Sequence, residues 1–255
     1  MFQRSSLSSS PARLLLPALV ALALCGCQTT GLEDITGALG SKPEKTREAK
    51  PDLDALRERY RANASDPEIA LQYGKALRES GQRAQAVAVL EQAVLAHSGN
   101  RTLLAAYGRA LADAGNFQQA FEVLSRAHTP EDPDWHILSA QGAVLDQLGR
   151  NEEAQQYYGS ALKIVPDEPS VLSNLGLSYM LQNNLPKAEE TLRRAHERSP
   201  SDPRVRANLA LVVGLQGRQS EAESIVKADL PPDEAQAKIT ALRQLLTRKQ
   251  QRAAK

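Results

Sequence analysis

The only two thiols of the chain stand two residues apart, at Cys25 and Cys27, directly behind an apolar run. A cysteine sulfur can ligate metals, pair into disulfides or be alkylated, and its neighbours decide among these. The histidines give it no metal partners: His97, His128, His136 and His196 lie far from both cysteines and from one another. That spacing supports no zinc site and no other metal centre. A Gly-rich phosphate loop and a nucleophile elbow are also missing from the sequence. No catalytic residue and no cofactor are therefore expected, and covalent modification of a cysteine near the start of the chain is the chemistry left.

Residues 1–27 read as a lipoprotein signal peptide. Arg4 and Arg13 flank a Ser-rich start, and Leu14 to Leu24 is apolar apart from Pro17, a core of about eleven residues. A bilayer span needs roughly 18, so removal is expected rather than retention as a membrane helix. Leu24-Cys25-Gly26-Cys27 resembles the bacterial lipobox, with an aliphatic residue at −3, a small residue at −1 and the lipidated cysteine at +1. Two registers compete. Cys25 at +1 puts bulky Leu24 at −1, whereas Cys27 puts Gly26 there and is preferred.

By that resemblance Cys27 carries diacylglycerol through a thioether, and no disulfide framework remains. An ordinary secretory signal with Cys27 as bystander is the alternative. Each buried acyl methylene contributes about 0.8 kcal/mol and one chain anchors only marginally, so the several chains of a lipoprotein make attachment durable. Gln28 follows, and the sorting rule implied by the resemblance sends such a chain to the outer membrane, facing the periplasm. Residues 28–50, with Gly31, Gly37, Gly40, Ser41 and Pro43, read as a flexible tether reaching on the order of 25 Å.

The elements beyond the tether are set by composition and by a repeat. The chain is 42% apolar but only 4% aromatic, which favours closely packed helices over strands. Its 31 Lys and Arg nearly cancel 30 Asp and Glu, so nothing points to nucleic acid as a partner. Gly74, Gly108, Gly142, Gly176 and Ala210 recur every 34 residues, as do Ala86, Ala120, Ala154, Ala188 and Ala222. Ala93, Ala127, Ala161 and Ala195 form a third series, which breaks at Asp229.

This pattern resembles the tetratricopeptide-repeat (TPR) family, built from 34-residue helix-turn-helix units with small residues at positions 8, 20 and 27. The resemblance implies an all-α superhelix, an α-solenoid, of five repeats at 67–100, 101–134, 135–168, 169–202 and 203–230. A flanking helix is expected within 51–66, and a capping helix and tail within 231–255. The large residues expected at position 24 are Leu90, Leu124, Tyr158, Leu192 and Val226, and Pro occupies position 32 only at Pro166 and Pro200.

The spacing also has a direct physical reading. Small residues at positions 8 and 20 fall where two antiparallel helices cross and let the backbones approach. Gly81, Gly115, Gly149 and Gly217 at position 15 end the first helix of a repeat, because the residue after the cap favours positive φ. Asn183 replaces glycine in the fourth repeat and tolerates the same conformation. Ser65-Asp66-Pro67, Pro130-Glu131-Asp132-Pro133, Pro166-Asp167-Glu168-Pro169 and Pro200-Ser201-Asp202-Pro203 stop one helix and start the next. The spacing predicts repeat helices over 67–80, 83–97, 101–114, 117–128, 135–148, 151–164, 169–182, 185–198, 203–216 and 219–228. Leu53, Leu56 and Tyr60 mark a helix before them, and residues 233–250 one after.

In the TPR family the first helix of each unit lines a concave groove. The matching positions here run from polar to apolar. Glu68, Lys75, Arg78, Glu79, Arg109 and Asp113 come first, then His136, Ser139, Asp146 and Gln147, then Leu177, Met180, Leu181, Leu211 and Leu215, with Asn174 and Asn208 beside them. Two readings of the apolar floor are open: the terminal helix covers it with Ile239, Leu242 and Leu245, or a partner helix or extended segment does. The paired Lys and Arg of a carboxylate clamp are absent, so no C-terminal carboxylate ligand is implied, nor any small-molecule substrate. Trp135 is expected in inter-repeat packing, and His97, His128 and His196 near the ends of second helices, where the helix dipole tolerates positive charge.

A narrower resemblance rests on three stretches. They are Asp134-Trp135 with Ser139 through Gly149, Pro166 through Tyr179, and Ala228-Asp229-Leu230-Pro231-Pro232 with Leu242-Arg243-Gln244-Leu245-Leu246. With the lipobox, these are similar to the TadD-type lipoproteins of Flp (tight-adherence) pilus assembly. That resemblance implies a non-catalytic, outer-membrane-anchored scaffold with protein partners, assisting assembly or localisation of a secretin. A pilotin-like lipoprotein of type IV pili or type II secretion stays open. So does a TPR lipoprotein that regulates cell-wall synthesis or outer-membrane protein assembly.

Overall fold

The computed structural model describes residues 52–228 and 230–253, with side chains through Thr247. The signal peptide, Cys27 and the tether over 28–50 lie outside the described residues. Those described form twelve helices, and their one β-contact is an isolated bridge between Thr129 and Asp132. No described helix is long and apolar enough to cross a membrane.

Helix α1 (Leu53–Ala62) precedes five helical pairs. The pairs are α2 (Pro67–Glu79) with α3 (Arg83–Ala96), α4 (Arg101–Asp113) with α5 (Phe117–Ser125), α6 (Trp135–Gln147) with α7 (Asn151–Ile164), α8 (Pro169–Leu181) with α9 (Leu185–Arg198), and α10 (Pro203–Leu215) with α11 (Gln219–Lys227). Helix α12 (Pro232–Ala253) ends the array.

Each first helix packs on its own second helix, which packs on the next first helix. First helices of successive pairs also touch one another, from α2 with α4 through α10 with α12, whereas second helices make at most slight contact with each other. An array tight on one side and open on the other must curve, so α2, α4, α6, α8 and α10 line its inner surface.

The crossings explain the 34-residue register. A Cβ added to Gly74 would sit 2.6 Å from Leu90 Cγ, one on Gly108 2.6 Å from Leu124 Cγ, and one on Gly142 2.7 Å from the Tyr158 ring. Gly176 meets Leu192 in the same way, at 2.6 Å. In the fifth pair the position is Ala210, and the facing large residue has shrunk to Val226. Ala86, Ala120, Ala154, Ala188 and Ala222 are all fully buried beside these contacts.

The turns inside the pairs follow backbone sterics. Gly81 has φ +79° and Asn183, its counterpart in the fourth pair, +59°. Between pairs, Asp66, Asn100, Asp134 and Asp202 accept hydrogen bonds from the first free amides of α2, α4, α6 and α10. Two linkers depart from the expected form. Glu168 rather than Asp167 caps α8, while Asp167 takes φ +58° and binds Arg194 and Arg198 of α9. Helix α5 stops at Ser125, three residues before the expected end. Ser125 Oγ donates to the Phe121 carbonyl, the amides of Arg126 and Ala127 turn to carbonyls three residues back, and Pro130 follows in a loop closed by Thr129 and Asp132.

Both ends of the described array present polar faces. Helix α12 occupies the place of a sixth first helix, against α11 and α10. It buries Ala235, Ile239, Leu242 and Leu246 and exposes Gln236, Thr240, Arg243, Gln244 and Thr247. Helix α1 buries Leu56, lays Tyr60 against Tyr73 at 5.3 Å between ring centroids, and exposes Asp54, Glu58, Arg59 and Arg61. Without such ends the last apolar faces of a solenoid would stand in water.

Candidate partner groove

At the first two repeats the inner surface is open and charged. Arg78 Nε donates to Asp113 Oδ2 at 2.6 Å, joining α2 to α4 directly. Lys75 is exposed one turn earlier on α2, and Arg109 is half-buried on α4. Burial lowers the Arg109 guanidinium pKa, and the nearby positive charge of Arg78 lowers it further; Asp134 and Asp113 oppose both. Arg109 makes no hydrogen bond or ion pair with a described residue. At the rim, His136 is exposed, stacks on half-buried Trp135 at 3.6 Å between centroids and brings Nδ1 to 3.1 Å from Asp134 Oδ1. Trp135 packs against the buried cluster of Leu138, Leu145 and Tyr158.

Most of the rest of the expected groove is closed, although Leu181 is exposed and Gln147 and Leu215 are half-buried. Leu177, Met180 and Leu211 are at most 3% exposed and share one buried cluster with Ile239, Leu242 and Leu246 of α12. This floor is closed within the array, where α12 joins the same cluster by packing on α10 and α11. The structure corrects Leu177, Met180 and Leu211 as partner-binding positions: they are core. Ser139 and Asn208 are corrected in the same way. Both are buried, and their polar groups are already used between first helices: Asn208 Nδ2 donates to Ser173 Oγ at 2.9 Å, and Asn174 Nδ2 to Ser139 Oγ at 3.3 Å. Asn174 is half-buried, so neither asparagine stands free to grip a ligand backbone. First helices touch along the inner side, and a short amide can span that gap to a serine one repeat earlier. The serines at 139 and 173 were the available sign of this pairing.

Asp146 was another expected groove residue and is instead 5% exposed. Its carboxylate accepts from Ser178 Oγ at 2.7 Å, Asn151 Nδ2 at 2.7 Å and Tyr158 Oη at 3.0 Å. Burial raises its pKa, and the hydrogen bonds from Asn151, Ser178 and Tyr158 oppose the rise. Three donors around one buried carboxylate form a staple between the third and fourth repeats rather than a reactive group. Among the described residues no group of three His, Cys, Asp or Glu could hold a metal ion.

The glycines and alanines at positions 8 and 20 are where the register requires, buried in the helix crossings, and belong to the scaffold. The open positions of the groove in the first two repeats are Glu68, Lys75, Arg78, Glu79, Arg109 and Asp113, with His136 at the rim. This surface is of mixed charge.

The tetratricopeptide-repeat family model matches residues 77–142 and 147–212. No curated protein matches the chain significantly. Among solved structures, the chain is similar to TTC0263, a thermophilic TPR protein of Thermus thermophilus, with TM-score 0.61 and 22% identity over 69% of this chain and 99% of that one. The APC/C hetero-tetramer Cut9-Hcn1 gives TM-score 0.61 and 14% identity over 69% of this chain and 35% of that one. MamA 41-end from Desulfovibrio magneticus RS-1 gives 0.51 and 18% over 70% and 95%. These structures share the fold. Five helix-turn-helix units in strict register, stacked with their first helices inward and matched by the family model over half the chain, make this a member of the tetratricopeptide-repeat family, a fold of protein-interaction scaffolds.

Proposed function

We propose that the chain is an outer-membrane-anchored scaffold of the periplasm, tied to the bilayer through lipidated Cys27, that assists assembly or localisation of a secretin for Flp-type pilus export. The observation that carries this reading is the combination of a self-capped TPR array with a lipobox-like Leu24-Cys25-Gly26-Cys27 and a polar spacer before the first helix. A tether on the order of 25 Å leaves the array free to engage a partner beside the membrane. The resemblance of 134–149, 166–179 and 228–246 to TadD-type lipoproteins points to the secretin as that partner.

The test is genetic and biochemical. Deleting the gene is expected to lower the amount of heat-stable secretin multimer in membranes, and Cys27→Ala to leave the protein uncleaved or soluble with the same loss. Unchanged multimers in the deletion strain would overturn the secretin assignment. Adjacent genes for a secretin, a secretion ATPase and small prepilins favour the pilus reading, and genes for cell-wall synthases count against it.

A further inference from the structure

We draw no further inference here: the strongest candidate, the outer face of α3, where Ala84, Ala88 and Leu95 stand exposed along one stripe of the helix, carries nothing because nothing in the structure shows what covers it.

Discussion

The hydroxyl of Tyr158 donates to Asp146 Oδ2 at 3.0 Å inside the third repeat, and Ser178 of the fourth repeat donates to Oδ1 of the same carboxylate at 2.7 Å. One acid therefore ties the two helices of its own unit to the unit that follows. Replacing Asp146 with alanine strands three donors, two of them buried. The expected loss is about 3 kcal/mol of unfolding free energy in urea titration, with Tyr158→Phe costing about 1 kcal/mol. A cost near zero for Asp146→Ala would show that the network contributes nothing to inter-repeat coupling.

The Gly74–Leu90 contact is complementary in volume, and its counterpart Ala210–Val226 shows the same sum with a methyl moved across. Gly74→Ala alone is expected to cost about 2 kcal/mol from overpacking. Combining it with Leu90→Val should recover about 1 kcal/mol as a coupling energy in a double-mutant cycle. Additive single effects would contradict the contact.

Glu189 of α9 gathers Arg193 of the same helix and Gln216 and Arg218 of the turn between α10 and α11. Its burial raises the pKa, but the hydrogen bonds from Arg218, Arg193 and Gln216 outweigh that and bring it from 4.5 down to about 2. A carboxylate depressed in the folded state adds stability that is present above its unfolded pKa and lost as pH falls through the folded one. Glu189→Gln should therefore lower Tm at pH 7 and leave it almost unchanged at pH 2. Equal effects at the two values would remove the charge from the explanation.

His128 and His196 share repeat position 28, where the first and third repeats carry Val94 and Leu162. The Nδ1 atoms of both histidines are buried without a partner among the described residues. His196→Leu removes an unsatisfied polar atom at an otherwise apolar position and should raise stability by about 1 kcal/mol, measured by chemical denaturation. Destabilisation would point to a hidden partner for the ring.

Leu177→Glu with Leu211→Glu places two carboxylates inside the cluster shared with α12. Circular dichroism should show lost helicity and an early melting step, because burying unpaired charge costs more than the C-terminal repeats can sustain. A native spectrum with weakened partner capture would restore these leucines to the groove.

The 34-residue recurrence of Gly and Ala was sufficient to read the helical pairs, their turns and their stacking order. Each of those depends on one local fact: a missing Cβ at a crossing, or a residue tolerant of positive φ behind a helix. Those facts are written at fixed positions and need no distant partner. Even Asn183 in place of glycine was legible, since the backbone requirement stays the same.

The state of the groove was not legible, because it depends on contacts between residues far apart in the chain. Leu177 and Leu211 have the same identity whether they floor an open channel or lie in a buried cluster. The packing of α8 on its neighbours, and of α12 against α10 and α11, decided for the core. Asn208 and Asp146 likewise looked like groove polarity until the serines and the tyrosine of neighbouring helices came within hydrogen-bond reach. Local chemistry specified the unit and its repetition. Only the tertiary structure, by pairing some polar groups across repeats and leaving Lys75 and Arg109 without hydrogen bonds or ion pairs to described residues, decided which part of the inner surface stays open.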